Sequence, residues 1–249
     1  MLFTNARVIG GDLIVSASVE ALAKMASGRT RAVVNTAEIP TAEFAHNPDW
    51  RFPRAQMIAA VRAASVQLAE LNLFPWGFDP FDDLAVIDYG DCWFDAHQPW
   101  TIRETIVEHA RHIINNSNAK MLTLGGDHYI TYPLLQAHVE KYGKPLSLLH
   151  FDAHCDTWPD DAEESLNHGT MFYKAIKNGL IDPKTSAQVG IRTWNSDFMG
   201  MNMLFAPWVN ENGIDATVQR IEEIIGDNPV YLTFDIDCLD PALAPGPAP

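Results

Sequence analysis

Residues 148–156 read LLHFDAHCD and residues 229–237 read PVYLTFDID, two apolar runs of strand length that end alike. The first closes on Asp152, His154 and Asp156 at every second position, and the second on Asp235 and Asp237. Successive side chains of a strand point to opposite faces, so alternate residues at its end project together. Carboxylates and an imidazole crowded on one face repel and desolvate one another unless a cation sits among them, because unpaired buried charge costs several kcal/mol. One such triplet is equally compatible with an ordinary polar strand end. Two strands ending alike point to one shared site.

The surrounding pattern predicts the scaffold. Strands are expected at 84–88, 120–124 and 187–191. Helices are expected from Ile102, Ile106, Val107, Ala110, Ile113 and Ile114, at 134–142 behind Pro133, and from Val218, Ile221, Ile224 and Ile225 between Asp215 and Gly226. Thr101 and Glu104 stand in capping-box spacing, and His109 and His112 fall toward the solvated side of their helix. Alternating strands and helices predict an α/β fold with a mostly parallel sheet covered on both faces. Such folds bind ligands at the carboxyl ends of their strands. Toward the N-terminus, residues 1–25 accommodate a strand and a helix, the spacing of Ile58, Val61, Ser65, Leu68 and Asn72 predicts another helix, and 72–83 is a loop whose aromatics are expected to be packing anchors.

A formal net charge of −15 argues against nucleic acid as a partner and mildly favours a cationic small molecule. Three cysteines without paired spacing fit a reducing compartment. Cys155 and Cys238 are expected in the core, on the strand faces opposite the carboxylates. With neither a membrane-spanning run nor a leader pattern legible, the cytoplasm is the expected location and no membrane partner is expected.

His128 joins the carboxylates because it follows Gly125 and Gly126 at the end of a neighbouring strand, where the paired glycines let the backbone turn tightly. The pooled set is His128, Asp152, His154, Asp156, Asp235 and Asp237, four carboxylates and two imidazoles. Two divalent cations balance that charge. Oxygen-rich ligation favours Mn(II) over Zn(II), and a pair of such ions brings the pKa of a shared water toward neutrality. His168, ending the acidic loop after the first metal strand, is the expected proton shuttle.

The motifs GGDH at 125–128, DAHCD at 152–156 and DIDCLDP at 235–241 resemble the arginase and agmatinase family of manganese ureohydrolases, and HGTMF at 168–172 resembles its agmatinase members. The likeness extends over about 62–246, with GLIDP, GIRT and PVYLTFDIDCLDPA in matching order. It implies a three-layer α/β/α fold with two Mn(II) ions per chain. By position, His128, Asp152, Asp156 and Asp235 would hold one ion and Asp152, His154, Asp235 and Asp237 the other, with Asp152 and Asp235 shared. His168 and Asp156 carry the implied catalytic roles. The implied reaction is attack of a metal-bridging hydroxide on the guanidinium of agmatine, giving putrescine and urea, in the setting of polyamine biosynthesis. A trimer or hexamer is the implied assembly.

Two departures accompany the likeness. Residues 1–61 read as a divergent N-terminal segment of the same domain, with 27–29 as a remnant of a Gly- and Arg-rich family segment. Residues 62–249 read as the ureohydrolase-like domain, ending in PGPAP where the family continues as PGTGTP. The expectation is a missing C-terminal part, including one acid that receives the guanidinium, and a shifted reading frame would produce it. The alternatives are a ureohydrolase for guanidinobutyrate or guanidinopropionate, a metal-binding remnant without activity, and a sugar-nucleotide transferase that reads DID alone.

Overall fold

A computed structural model describes Arg7–Ile14, Thr30–Ala37 and, except for residues 73, 76, 96, 163, 164 and 166, the span 72–244. The helices expected within 1–25 and from Ile58, and the remnant at 27–29, lie outside these residues. Among the described residues eight strands form the sheet: β1 (Arg7–Ile14), β2 (Thr30–Ala37), β3 (Leu84–Asp91), β4 (Lys120–Gly125), β5 (Ser147–Phe151), β6 (Ala187–Ile191), β7 (Asn202–Phe205) and β8 (Pro229–Asp235). Their order is β3-β2-β4-β1-β8-β5-β6-β7, and every pairing is parallel. β1 therefore lies at the centre, with Ile14 in register with Gly125 of β4 on one side and Asp235 of β8 on the other.

The helices are α1 (Pro80–Asp83), α2 (Ile102–Asn116), α3 (Thr131–Tyr142), α4 (Met171–Lys177) and α5 (Ala206–Ile225). Strand alternation sorts them into layers. Leu148 and Tyr231 point into a core with Ile106, Ile113, Leu134, Leu135 and Phe172 from α2, α3 and α4. Their neighbours Leu149 and Val230 point the other way, against Ile221 and Ile225 of α5. The result is a three-layer α/β/α arrangement, as the sequence pattern predicted.

Local differences have identifiable causes. The capping box at α2 does not form: Pro99–Thr101 is a 3-10 turn, and the Thr101 hydroxyl donates to the Gln98 carbonyl instead. α5 begins earlier than expected, at Ala206, and is broken at Gly213, whose φ of 79° is non-helical. Phe74 and Phe78 are 94% and 47% exposed, so these two aromatics are not packing anchors.

The largest correction concerns the strand ends. β5 stops at Phe151, and β8 stops at Asp235. His154, Asp156 and Asp237 therefore do not continue a strand. At three strand ends an aspartate side chain instead accepts from the backbone N–H two residues on: Asp127 from Tyr129, Asp152 from His154, and Asp235 from Asp237. These are Asx turns, for which aspartate is a preferred residue. The spacing of two is real, and its cause is a repeated turn rather than strand alternation. Cys155 and Cys238 accordingly lie in turns and not on opposite strand faces; Cys155 is fully buried, and Cys238 is half-buried.

Candidate metal centre

The turns converge around Asp152. Its amide donates to the Val189 carbonyl of β6, while Arg192 and Thr193 both donate backbone N–H groups to Ala153. Gly190 makes this approach possible, since its φ is +91° and a Cβ there would stand 3.3 Å from the Asp152 carbonyl oxygen. Arg192 donates to the Asp237 carbonyl at 2.6 Å, and Ala153 N–H donates to Asp237 Oδ1 at 3.0 Å, which locks the β8 turn against the β5 turn. Asp156 reaches the cluster through a left-handed backbone at φ 51°. Its carbonyl accepts from Phe172 as α4 begins.

His128 Nδ1 lies 3.1 Å from Asp152 Oδ2, 3.2 Å from Asp156 Oδ2 and 3.6 Å from Asp235 Oδ2. His154 Nδ1 lies 3.3 Å from Asp152 Oδ1 and 3.0 Å from Asp237 Oδ2. All six residues read from the sequence as candidate ligands thus lie in one cluster. Their donor atoms form two groups of metal-binding dimensions, His128, His150, Asp152 and Asp156 in one and Asp152, His154 and Asp237 in the other, with Asp152 in both. Asp235 adds a further carboxylate to the first through His128.

The carboxylates of Asp152 and Asp156 hold the His128 imidazole well above its ordinary pKa even though burial pulls it down. Contacts with Asp152 and Asp237 raise His154 to about 10. Burial, reinforced by Asp152, raises the Asp156 carboxyl. Burial likewise raises Asp235, with His128 opposing and Asp152 and Asp237 adding. His128 Nδ1 nevertheless makes no well-directed hydrogen bond, although its Nε2 is 2.9 Å from the Thr233 hydroxyl. A buried nitrogen facing three carboxylates, with its other nitrogen fixed by a hydroxyl, suits a metal ligand. The residues present fit a divalent ion, and an oxygen-rich set of this kind suits Mn(II) or Mg(II) better than Zn(II).

His168 stands apart from the ligands. Its Nδ1 lies 3.6 Å from Asp127 Oδ2. That contact raises its pKa against the opposing effect of burial. Three partners escaped the sequence reading: His150, Thr233 and Gln188, all fully buried. Thr233 stands two residues before Asp235 on β8, and His150 two residues before Asp152, which lies just past the end of β5, so the same spacing of two that drew attention to Asp152 and Asp235 also pointed to them.

A parallel α/β sheet whose strand ends gather acidic and imidazole side chains around one shared carboxylate defines the class as an α/β scaffold with a candidate metal-binding cluster at its strand ends. The sequence profile of the arginase family matches residues 57–249, and the chain belongs to that family. It is 75% identical over 187 residues to an agmatinase of Chromobacterium violaceum, covering 75% of this chain and 58% of that protein. An agmatinase of Neisseria meningitidis serogroup C is 50% identical over 188 residues, covering 75% of this chain and 60% of that protein. Among solved structures, a hypothetical agmatinase from Burkholderia thailandensis superposes with a TM-score of 0.78 at 64% identity, covering 88% of this chain and 68% of that one. The chain thus spans about 58–60% of the length of these curated relatives.

Proposed function

We propose that this chain carries the metal centre of an agmatine ureohydrolase, which hydrolyses the guanidinium of agmatine to putrescine and urea with two Mn(II) ions. The observation that carries the reading is the convergence of His128, His154, Asp156, Asp235 and Asp237 on Asp152 from three separate strand ends. Agmatine is favoured over other guanidines because relatives at 75% and 50% identity bear the name agmatinase.

In this reading His128, Asp152, Asp156 and Asp235 would hold one ion, and Asp152, His154, Asp235 and Asp237 would hold the other. Bound there, the ions supply Lewis acidity and a water activated near neutral pH. The chain itself supplies orientation and proton handling. Asp127, 3.6 Å from His168 Nδ1, raises the pKa of that half-exposed ring and so favours its protonated form, which suits a proton donor to the departing amine. The acidic flank, anchored where Lys174 donates to the Ala162 carbonyl at 2.6 Å, favours a cationic substrate. Homo-oligomerisation and a cytoplasmic setting belong to the same proposal, the latter supported by three cysteines that form no disulfide.

The test loads the protein with Mn(II), counts bound metal by elemental analysis, and measures urea from agmatine, guanidinobutyrate and guanidinopropionate. Two Mn per chain with urea mainly from agmatine supports the reading. Metal without urea from any guanidine makes the chain a metal-binding remnant, and urea mainly from a guanidino acid reassigns the substrate.

A further inference from the structure

The layer beneath the ligands determines how Asp152 is held. His150 of β5 and Thr233 of β8 are register partners, side by side and fully buried. His150 Nε2 lies 2.8 Å from Asp152 Oδ2, and His150 Nδ1 lies 3.0 Å from Gln188 Nε2. The same Gln188 nitrogen donates to the Cys155 carbonyl at 2.7 Å. A carbonyl can only accept, so this contact fixes which end of the amide faces the 152–156 turn. The second hydrogen of that nitrogen meets His150 Nδ1, which must then accept. The proton of the neutral ring therefore sits on Nε2 and points at Asp152. Phe172 packs edge-on against the ring at 4.7 Å and holds its plane.

We propose that His150 is a positioning residue and not a metal ligand: Gln188, braced on the Cys155 carbonyl, sets the tautomer of His150, whose Nε2–H holds Asp152 Oδ2. The proposal rests on the metal reading above. It assigns a role to the one member of the four-residue group that the sequence reading did not count among the ligands. A ring nitrogen that carries hydrogen has no lone pair for a cation. Asp152 is the carboxylate common to both metal groups, so a constraint on it is felt at both. The relay also closes on itself, because Cys155 belongs to the turn that Asp152 begins. β5 and β6 thereby brace both ends of the turn through two side chains.

Two measurements test this. Long-range proton–nitrogen correlation spectra of the metal-free protein, with the His150 signal assigned by its loss in His150→Phe, should show hydrogen on Nε2 and a bare Nδ1; hydrogen on Nδ1 overturns the relay. Mn(II) titration followed by the electron paramagnetic resonance of free Mn(II) compares wild type with variants. His150→Phe should bind about 10- to 100-fold more weakly. His150→Gln, whose amide N–H reaches toward the same oxygen, should recover most of that loss. Equal losses in both variants make His150 a ligand and overturn the proposal, as does wild-type affinity in His150→Phe. Gln188→Met, which lacks the donor but keeps the length, should weaken binding and mix the tautomers, and serves if His150→Phe does not fold. A wild type that binds no Mn(II) removes the metal reading, and the tautomer measurement still decides the relay by itself.

Discussion

Replacing His138 with Phe isolates a titrating group in the core of the fold. His138 is buried within α3, with Nδ1 2.8 Å from the Leu134 carbonyl, its ring edge-on to Tyr231 at 5.1 Å, and no partner for Nε2 among the described residues. Burial is the main cause that lowers its pKa from 6.5 to about 4. The unfolded ring takes its proton near 6.5 and the folded ring only near 4, so between these values the unfolded state binds more protons and stability falls as pH drops. The contribution is fully present above the unfolded value. About 2 kcal/mol of it is gone by about pH 5, and roughly 3 kcal/mol once both states are protonated. Urea unfolding of the metal-free protein, followed by far-ultraviolet circular dichroism at about pH 7.5 and about pH 5, measures this for wild type and His138→Phe. The carboxylates and imidazoles of the metal centre titrate in both proteins and cancel in the comparison. The stability difference should move by about 2 kcal/mol in favour of the variant on acidification. Parallel pH dependences, agreeing within about 0.5 kcal/mol, would refute the assignment of a buried neutral ring.

Further predictions concern the site itself. Asp152→Asn should reduce bound Mn(II) below one per chain by elemental analysis; one ion retained at wild-type affinity contradicts a shared carboxylate. Asp156→Gly and Asp156→Ala should lose metal affinity alike, yet the Gly variant should be about 1 kcal/mol more stable by urea unfolding, because Asp156 adopts a φ of 51°. Equal stabilities would show that the left-handed turn relaxes. Asp127→Asn should lower the pKa of His168, since Asp127 is the largest of the causes that raise it. Proton NMR titration measures that shift directly, and an unchanged titration removes Asp127 from any role in holding the proton.

The cluster was legible because two apolar runs end in the same spaced carboxylates, and the structure brings the six candidate residues together. The sheet class was legible from strand and helix periods, and Leu148, Leu149, Val230 and Tyr231 sort into their layers as a period of two requires. What spacing could not reveal was its own cause. An aspartate two residues before the next polar group fits a strand tip and an Asx turn equally, and only the bonds to Tyr129, His154 and Asp237 decide between them. β7 escaped because four residues, NMLF, give no alternation to count. The partnership of His150 with Gln188 crosses from β5 to β6, a pairing that no local pattern carries.

The central place of β1 bears on how the chain acquires its shape. Arg7 of β1 pairs with Pro229, and Ile14 with Asp235, so the earliest described strand completes its pairing only with the last one. During synthesis β1 must remain without that neighbour until β8 has been made. The site closes no sooner, because β8 brings Asp235 and leads directly into Asp237. Contacts so distant along the chain make folding slow and leave strand edges unpaired for longer. Assembly of the candidate metal cluster is thereby tied to the pairing of β1 with β8, and an ion that binds only the closed cluster would draw that late pairing toward the folded state.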